Sequence, residues 1–135
     1  MKRREFIGIV GGAAASSCLW PLAARAQQTA KLPVVGFFHS EGEDASAFRV
    51  AAFRQGLNEA GYIEGGNVAV DYRWGEGRSE RLPAIAAELI DRKVAVICAG
   101  DVLTARAARA VAGNTPIVFL TASDPVEDGL VASFN

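Results

Sequence analysis

A continuous apolar run near the start of the chain, residues 32–38, constrains the fold more than any other stretch. It has the length of a strand, is rich in β-branched and aromatic residues, and stops at the polar pair His39 and Ser40. An unbroken run, unlike an alternating one, is typical of a strand covered on both faces by helices. We therefore predict that residues 34–38 form the central strand of an open α/β sheet.

Helical and strand-like patterns alternate after this run. The predicted helices cover residues 45–60, 79–91 and 102–112, and the remaining predicted strands cover residues 67–74, 94–98 and 116–120. Connections of ten or more residues between strands favour parallel neighbours joined by right-handed crossovers. We predict one Rossmann-like α/β lobe with an open parallel sheet, strand order 2-1-3-4 and helices on both faces.

Side-chain periodicity indicates which residues face the core. In the strand over residues 67–74, Tyr72 and Trp74 alternate with charged residues, so we expect these two aromatic rings to pack beneath a helix. In the last helix, apolar residues recur at spacings typical of an inward face. The residues assigned to that face are Leu103, Ala107, Ala110 and Val111.

The first 26 residues have the three-part order of an export signal. A basic start precedes an apolar, Gly/Ala-rich run over residues 8–22, and Ala24-Arg25-Ala26 supplies the small residues of a cleavage site. The pair Arg3-Arg4 resembles a twin-arginine signal. We expect cleavage after Ala26, a flexible leader over residues 27–32, and a periplasmic mature protein with no membrane-spanning segment.

Removal of the signal leaves a mildly acidic chain. The sequence has a formal charge of −1, and residues 27–135 hold 10 basic and 14 acidic side chains. Because no excess of basic residues remains, we expect no nucleic-acid partner. Cys18 lies in the signal and Cys98 in a predicted strand, so we expect no internal disulfide and a core position for Cys98.

Polar residues gather where three of the predicted strands end. These are His39 with Ser40, Gly100 with Asp101, and Ser123 with Asp124. The carboxyl ends of parallel strands lie on one edge of a sheet, which is where such sheets bind ligands. We predict that these six residues form half of a small-molecule site. The alternative is that they serve only as helix caps and turns, since Ser, Asp and Gly are favoured there anyway.

Catalytic and metal-binding motifs are not found in the sequence. A single histidine with no cluster of cysteines or carboxylates offers no metal-ligand spacing. No G-x-S-x-G turn presents a nucleophilic serine, and no G-x-x-x-x-G-K-[ST] loop is present to bind phosphates. We therefore expect no catalytic residues, no metal and no cofactor.

Several short motifs spread over the chain resemble those of one family. They are Gly56-Leu57 with Gly61-Tyr62, Tyr72-Arg73-Trp74, Arg81-Leu82-Pro83, residues 94–97, and above all Pro116-Ile117-Val118-Phe119 followed by Asp124-Pro125-Val126 and Gly129-Leu130-Val131. Together they resemble the exported substrate-binding proteins of ABC transporters. More narrowly, they are similar to the branch with tryptophan and tyrosine receptors, which has the type I periplasmic binding protein fold.

The resemblance implies a non-enzymatic receptor. In that family two similar α/β lobes close on a small molecule, such as an amino acid or a relative, and present it to an ABC permease. The loops that line the cleft correspond here to Ser40, Gly100-Asp101 and Ser123-Asp124. Residues 33–135 then correspond to the amino-terminal lobe, and we expect the second lobe to be missing from this chain.

Two other functions remain open on the sequence alone. One is an exported α/β enzyme of hydrolase type that uses the same edge of the sheet. The other is a ligand-sensing lobe that reports to a membrane signalling partner.

Overall fold

Four parallel strands form a single sheet in the computed structural model of the protein, which describes residues 31–134. The elements are β1 Val34–His39, α1 Glu43–Glu59, β2 Ala69–Trp74, α2 Leu82–Asp91, β3 Val96–Ala99, α3 Val102–Val111 and β4 Ile117–Phe119, with a 3-10 turn at Ser79–Arg81 before α2. The export signal predicted for residues 1–26 and most of the predicted leader lie outside the described residues.

The sheet order is β2-β1-β3-β4, which confirms the predicted order 2-1-3-4. β1 pairs along its whole length with β2, and residues 35–38 of β1 pair with β3 on the other side. Residues 97–99 of β3 pair in turn with β4, again in parallel. β1 is therefore an inner strand. The chain adds β2 on one side of β1 and then adds β3 and β4 on the other side, with all four strands parallel.

Helices cover both faces of β1, as its unbroken apolar sequence predicts. Phe37 faces α1, where its ring lies 5.0 Å from the ring of Phe53. Phe38 faces the opposite side and is fully buried in a cluster with Leu89 of α2. A Cβ atom at Gly36 would lie 3.0 Å from Leu89 Cδ2. The absence of a side chain at Gly36 therefore lets α2 approach β1 closely.

The two aromatic residues of β2 are packing residues, as expected. The rings of Tyr72 and Trp74 each lie 5.7 Å from the ring of Phe37, on the side of the sheet that faces α1. On the other side, Asp71 accepts a hydrogen bond from Arg73, which also donates to Glu88 of α2. Apolar contact on one face and ion pairs on the other thus fix β2 at the edge of the sheet.

The inward face assigned to α3 is partly wrong. Leu103 is 50% exposed and Ala110 is also exposed, whereas the buried residues of the helix are Thr104, Ala105 and Ala108. The physical reason is the cap. Asp101 bonds the backbone and side chain of Thr104, which turns Thr104 toward the protein and leaves Leu103 at the edge of the sheet. Ala107 and Val111 do pack against the core, as predicted.

The face of the sheet beside α1 is covered unevenly. Pairing register places Phe37, Cys98 and Val118 on this same face. Phe37 is buried, Cys98 is half-buried and Val118 is 59% exposed. Burial raises the pKa of the Cys98 thiol, which accords with the expected packing role. Among the described residues, α1 thus covers β1 and β2 better than it covers β4.

Replacement of Phe38 tests whether β1 is the centre of the core. Phe38→Ala removes a fully buried ring and should lower the free energy of unfolding by about 3–5 kcal/mol, because it leaves a cavity. The matched control is Phe48→Ala, which removes a ring that is 66% exposed and should change stability by less than about 0.5 kcal/mol. Urea denaturation followed by circular dichroism measures both. Equal losses from the two variants would contradict the assignment.

Candidate functional site

Three loops meet at the carboxyl edge of the sheet, where β1, β3 and β4 end. Because all four strands are parallel, the segments after them lie on the same edge. The structure therefore places His39-Ser40, Gly100-Asp101 and Ser123-Asp124 on one edge. The side chains of these residues differ in burial and in hydrogen-bond partners, and they are described in turn below.

The Asp101 carboxylate fastens the loop after β1 to the first turn of α3. Its Oδ2 accepts hydrogen bonds from the Ser40 amide at 2.9 Å and from the Ser40 hydroxyl at 2.7 Å. Its Oδ1 accepts from the Thr104 amide at 2.8 Å and lies 3.1 Å from the Thr104 hydroxyl. We call this set, Ser40, Asp101 and Thr104, the Asp101 bridge. It shows that Asp101 is the N-cap of α3 and also a link between two loops.

The Asp101 bridge keeps its carboxylate ionised. Burial by itself raises the pKa of Asp101, because it disfavours the charged form. The hydrogen bonds from Ser40 and Thr104 outweigh burial, so the pKa of Asp101 lies below its usual value. Since both carboxylate oxygens already accept from protein groups, little acceptor capacity is left for a donor on a ligand.

His39 lies behind the loops, with 3% of its side chain exposed. Its Nδ1 accepts a hydrogen bond from the Glu41 amide at 3.1 Å and lies 3.5 Å from Asp101 Oδ2. An Nδ1 that accepts from an amide is unprotonated, so the neutral ring carries its proton on Nε2. Nε2 is buried and has no hydrogen-bond partner within residues 31–134. The ring thus shapes the loop after β1 from inside.

The imidazole ring also requires a glycine on the neighbouring strand. A Cβ atom at Gly100 would lie only 2.4 Å from His39 Cδ2. Real side chains do not approach so closely, and the ring has little room to move because it is buried and its Nδ1 is held by the Glu41 amide. Gly100 therefore makes room for His39 and keeps the adjoining surface open.

A cavity of about 460 Å³ opens at this edge of the sheet. Small-molecule sites typically have volumes of about 300–1,000 Å³. Three of the predicted residues line the cavity, namely Ser40, Gly100 and Asp101. The other lining residues are Arg49, Val102, Leu103, Leu120, Thr121 and Ala122.

Ser123 and Asp124 share the loop after β4 but are not among the residues that line the cavity. The Ser123 hydroxyl forms a short hydrogen bond to the Asp128 carboxylate, and the Asp124 carboxylate accepts from the Val126 amide at 2.8 Å. Arg106 of α3 also bonds Asp128, at 3.3 Å. Both predicted residues stabilise their own loop here, and their contact with a ligand stays a prediction.

Sequence reasoning missed six residues that line the cavity, and four of them show why. Leu120 and Thr121 follow β4 directly, so their position relative to the strand end was a usable signal. Arg49 lies in the second turn of α1, and a helix that follows β1 begins at the carboxyl edge of the sheet. Leu103 was assigned to the core, because periodicity alone does not show that Thr104 is the residue turned inward by the cap.

Residues 31–134 contain no group of three or more His, Cys, Asp or Glu side chains arranged to hold a metal ion. No helix in this part combines the length and the apolar character needed to cross a bilayer.

The charge state of His39 can be tested directly because it is the only histidine in the sequence. Burial lowers its pKa below the usual 6.5, and the opposing effect of Asp101 does not compensate. The unfolded chain therefore binds a proton more readily than the folded one below about pH 6.5. We expect the free energy of unfolding to fall as the pH decreases from 7.5 to 5.5.

A proton NMR titration of the His39 ring and denaturation at several pH values measure these two effects. The control is His39→Gln, whose side-chain oxygen can still accept from the Glu41 amide and which should lose this pH dependence. A ring pKa of 6.5 or higher would show that the folded protein does not disfavour the imidazolium.

The close approach at Gly100 predicts that it tolerates no side chain. Gly100→Ala should destabilise the protein by about 1–3 kcal/mol, because it overpacks the His39 ring. In Gly56→Ala, by contrast, the new Cβ meets nothing within 4 Å on α1, and the change should stabilise by about 0.5–1 kcal/mol. Thermal unfolding of both variants checks the opposite signs. A neutral Gly100→Ala would mean that the His39 ring is free to move.

Curated and solved proteins similar to this chain are longer than it is. It is 31% identical over 81 residues to a tyrosine-binding protein of Clostridioides difficile, a match covering 60% of this chain and 24% of that protein. A conserved domain protein of Vibrio cholerae has 27% identity and a TM-score of 0.70. A substrate binding protein with adhesive properties from Clostridium difficile, in its ligand-free, open structure, has 24% identity and a TM-score of 0.69.

A third solved structure, an ABC domain from Streptococcus pneumonia in complex with L-Trp, has 16% identity and a TM-score of 0.69. Each of these three structural matches covers 76% of this chain and 35% of the solved one. The likeness to the two structures with lower identity concerns the fold. The family model for ABC transporter substrate binding proteins matches residues 32–135, and the chain therefore belongs to that family.

Proposed function

We propose that this chain is the amino-terminal lobe of an extracytoplasmic receptor that delivers a small molecule to an ABC importer. The observation that carries the proposal is the family match over residues 32–135. The cavity at the carboxyl edge of the sheet supports it, because ligands of open α/β sheets bind at this edge. The partners proposed for the complete receptor are a small-molecule ligand and a membrane permease.

Ligand capture in this proposal needs a second lobe. The chain spans 35% of the length of each of the three solved proteins described above. The cavity is open toward solvent, with Leu103 and Leu120 lining it at 50% and 60% exposure. Contacts from a second lobe would cover these side chains and stabilise a closed state around the ligand.

An amino acid or a relative is the proposed ligand class. One relative of this chain is named for binding tyrosine, and one structure with the same fold was solved with L-Trp. Apolar walls formed by Leu103, Leu120 and Ala122 offer contact for an apolar side chain. The six predicted site residues enter the proposal in two groups: Ser40, Gly100 and Asp101 shape the cavity, and His39, Ser123 and Asp124 support the loops around it.

Export of the protein is part of the same proposal. A receptor for an importer meets its ligand outside the cytoplasmic membrane, and residues 1–26 have the sequence order of a signal peptide. We propose a periplasmic location after cleavage behind Ala26, with Arg3-Arg4 directing the twin-arginine route.

The alternative of a hydrolase receives less support from the site. A serine nucleophile is activated by a base within hydrogen-bonding distance. The Ser40 hydroxyl donates instead to Asp101, and His39 Nδ1 accepts from the Glu41 amide. A role as a sensing lobe for a signalling partner shares the same cavity, and binding to a permease in membrane pull-downs distinguishes the two.

Calorimetry with L-tyrosine and L-tryptophan tests the proposed function. The 135-residue chain is compared with a longer version that carries a second lobe of the same family. We expect the longer protein to bind at least one of these amino acids about a hundredfold more tightly, since additional contacts of about 3 kcal/mol have this effect. Tight binding by the 135-residue chain alone would contradict the need for a second lobe.

A pair of matched variants locates the binding site. Leu120→Asp changes a cavity residue that is 60% exposed, and Ile63→Asp changes a residue that is 61% exposed and follows α1, at the opposite edge of the sheet. Binding by the longer protein should be lost in the first variant and kept in the second. Equal affinity of both variants would place the ligand elsewhere.

A further inference from the structure

The cavity lining includes a positively charged guanidinium group, that of Arg49. Arg49 reaches the cavity lining from α1, and none of the ion pairs found within residues 31–134 includes its guanidinium group. The guanidinium carbon lies 4.5 Å from the centre of the Phe48 ring. Four of the seven other arginines in the described chain pair with carboxylates, namely Arg54, Arg73, Arg92 and Arg106. The remaining three, Arg78, Arg81 and Arg109, form no such pair either, but they do not line this cavity.

The carboxylate that lines the same cavity is already committed. Asp101 Oδ2 accepts two hydrogen bonds from Ser40, and Oδ1 accepts from Thr104. A guanidinium group has five donors and no acceptor. Of the two charged side chains that line the cavity, Arg49 can therefore still donate hydrogen bonds to a ligand, whereas Asp101 has little capacity left to accept them.

Backbone amides at the cavity are also available as hydrogen-bond donors. The amides of Val102 and Leu103, in the first turn of α3, have no acceptor among the hydrogen bonds of the described residues, whereas the next amide is capped by Asp101. Both residues line the cavity. Free first-turn amides carry partial positive charge, which adds to the charge of Arg49.

We propose that this lobe binds the carboxylate group of its ligand at Arg49, with the apolar body of the ligand against Leu103 and Leu120. Planar guanidinium and carboxylate groups form paired, charge-assisted hydrogen bonds, which suits arginine to this task. The lobe thus recognises the acid end of the ligand, and an amino group is not required for binding to it. The inference rests on the proposed function, since it assigns a chemical group to the same cavity.

Two probes that differ only at the acid end test the inference: 3-phenylpropionate and 3-phenylpropionamide, neither of which has an amino group. Nitrogen–proton NMR spectra of the 135-residue chain are recorded during titration with each. We expect the acid to shift the Arg49 Nε signal and the amides of Gly100, Leu103 and Thr121. The amide probe should bind about tenfold more weakly or worse, as loss of a charged hydrogen bond implies.

Three substitutions complete the experiment. Arg49→Gln should weaken binding of the acid about tenfold or more, and Arg49→Lys, which keeps the charge, should weaken it less. The matched control is Arg54→Gln, on the same helix, where the arginine pairs with Glu64 and Tyr72 outside the cavity lining. This control should bind like the unchanged protein.

The inference is overturned if the acid and the amide probe bind equally, if Arg49→Gln binds the acid as well as Arg54→Gln does, or if neither probe binds. Equal binding of the two probes at the cavity leaves the proposed receptor function standing and removes only the role of Arg49. If instead the longer, two-lobed protein binds no amino acid while the acid probe still binds at Arg49, the role of Arg49 stands and the proposed receptor function is removed.

Discussion

Burial of β1 on both faces determines where every loop of the candidate site lies. Phe37 packs on Phe53 of α1, and Phe38 packs on the opposite side in a cluster with Leu89. A strand covered in this way has no face for solvent, so the chain leaves β1 at an edge of the sheet and returns through helices. The parallel direction of the strands follows from these crossovers. The loops after β1, β3 and β4 then lie on one edge and surround the cavity.

Most of the polar residues predicted at this edge hold the loops in shape. Ser40, Asp101 and Thr104 form a closed set of hydrogen bonds, and Ser123 and Asp128 form another. These groups set the shapes of the loops and leave the cavity walls to other residues. A charged residue at a strand end is therefore not evidence of ligand contact by itself, because a helix cap uses the same side chains.

The order of apolar and polar residues predicted the fold well, because this order reflects which residues of each strand and helix are buried. The unbroken run in β1 and the regular helical spacing of α2 reflect burial, and burial is decided by local composition. The site was harder to predict. Arg49 was missed because its contact with the cavity depends on where α1 begins, and Leu103 was misplaced because the Thr104 cap decides how α3 is turned. Such contacts arise between segments that are distant in sequence, and the periodicity of one segment does not show them.

The outer edge of β4 has a consequence for how this chain behaves in solution. Among the described residues no strand pairs with that edge, and Val118 and Leu120 are 59% and 60% exposed beside it. Unpaired backbone groups next to apolar side chains form a template on which another copy can add as a strand. We therefore expect this edge to limit the colloidal stability of the isolated lobe, independently of how stable its own core is.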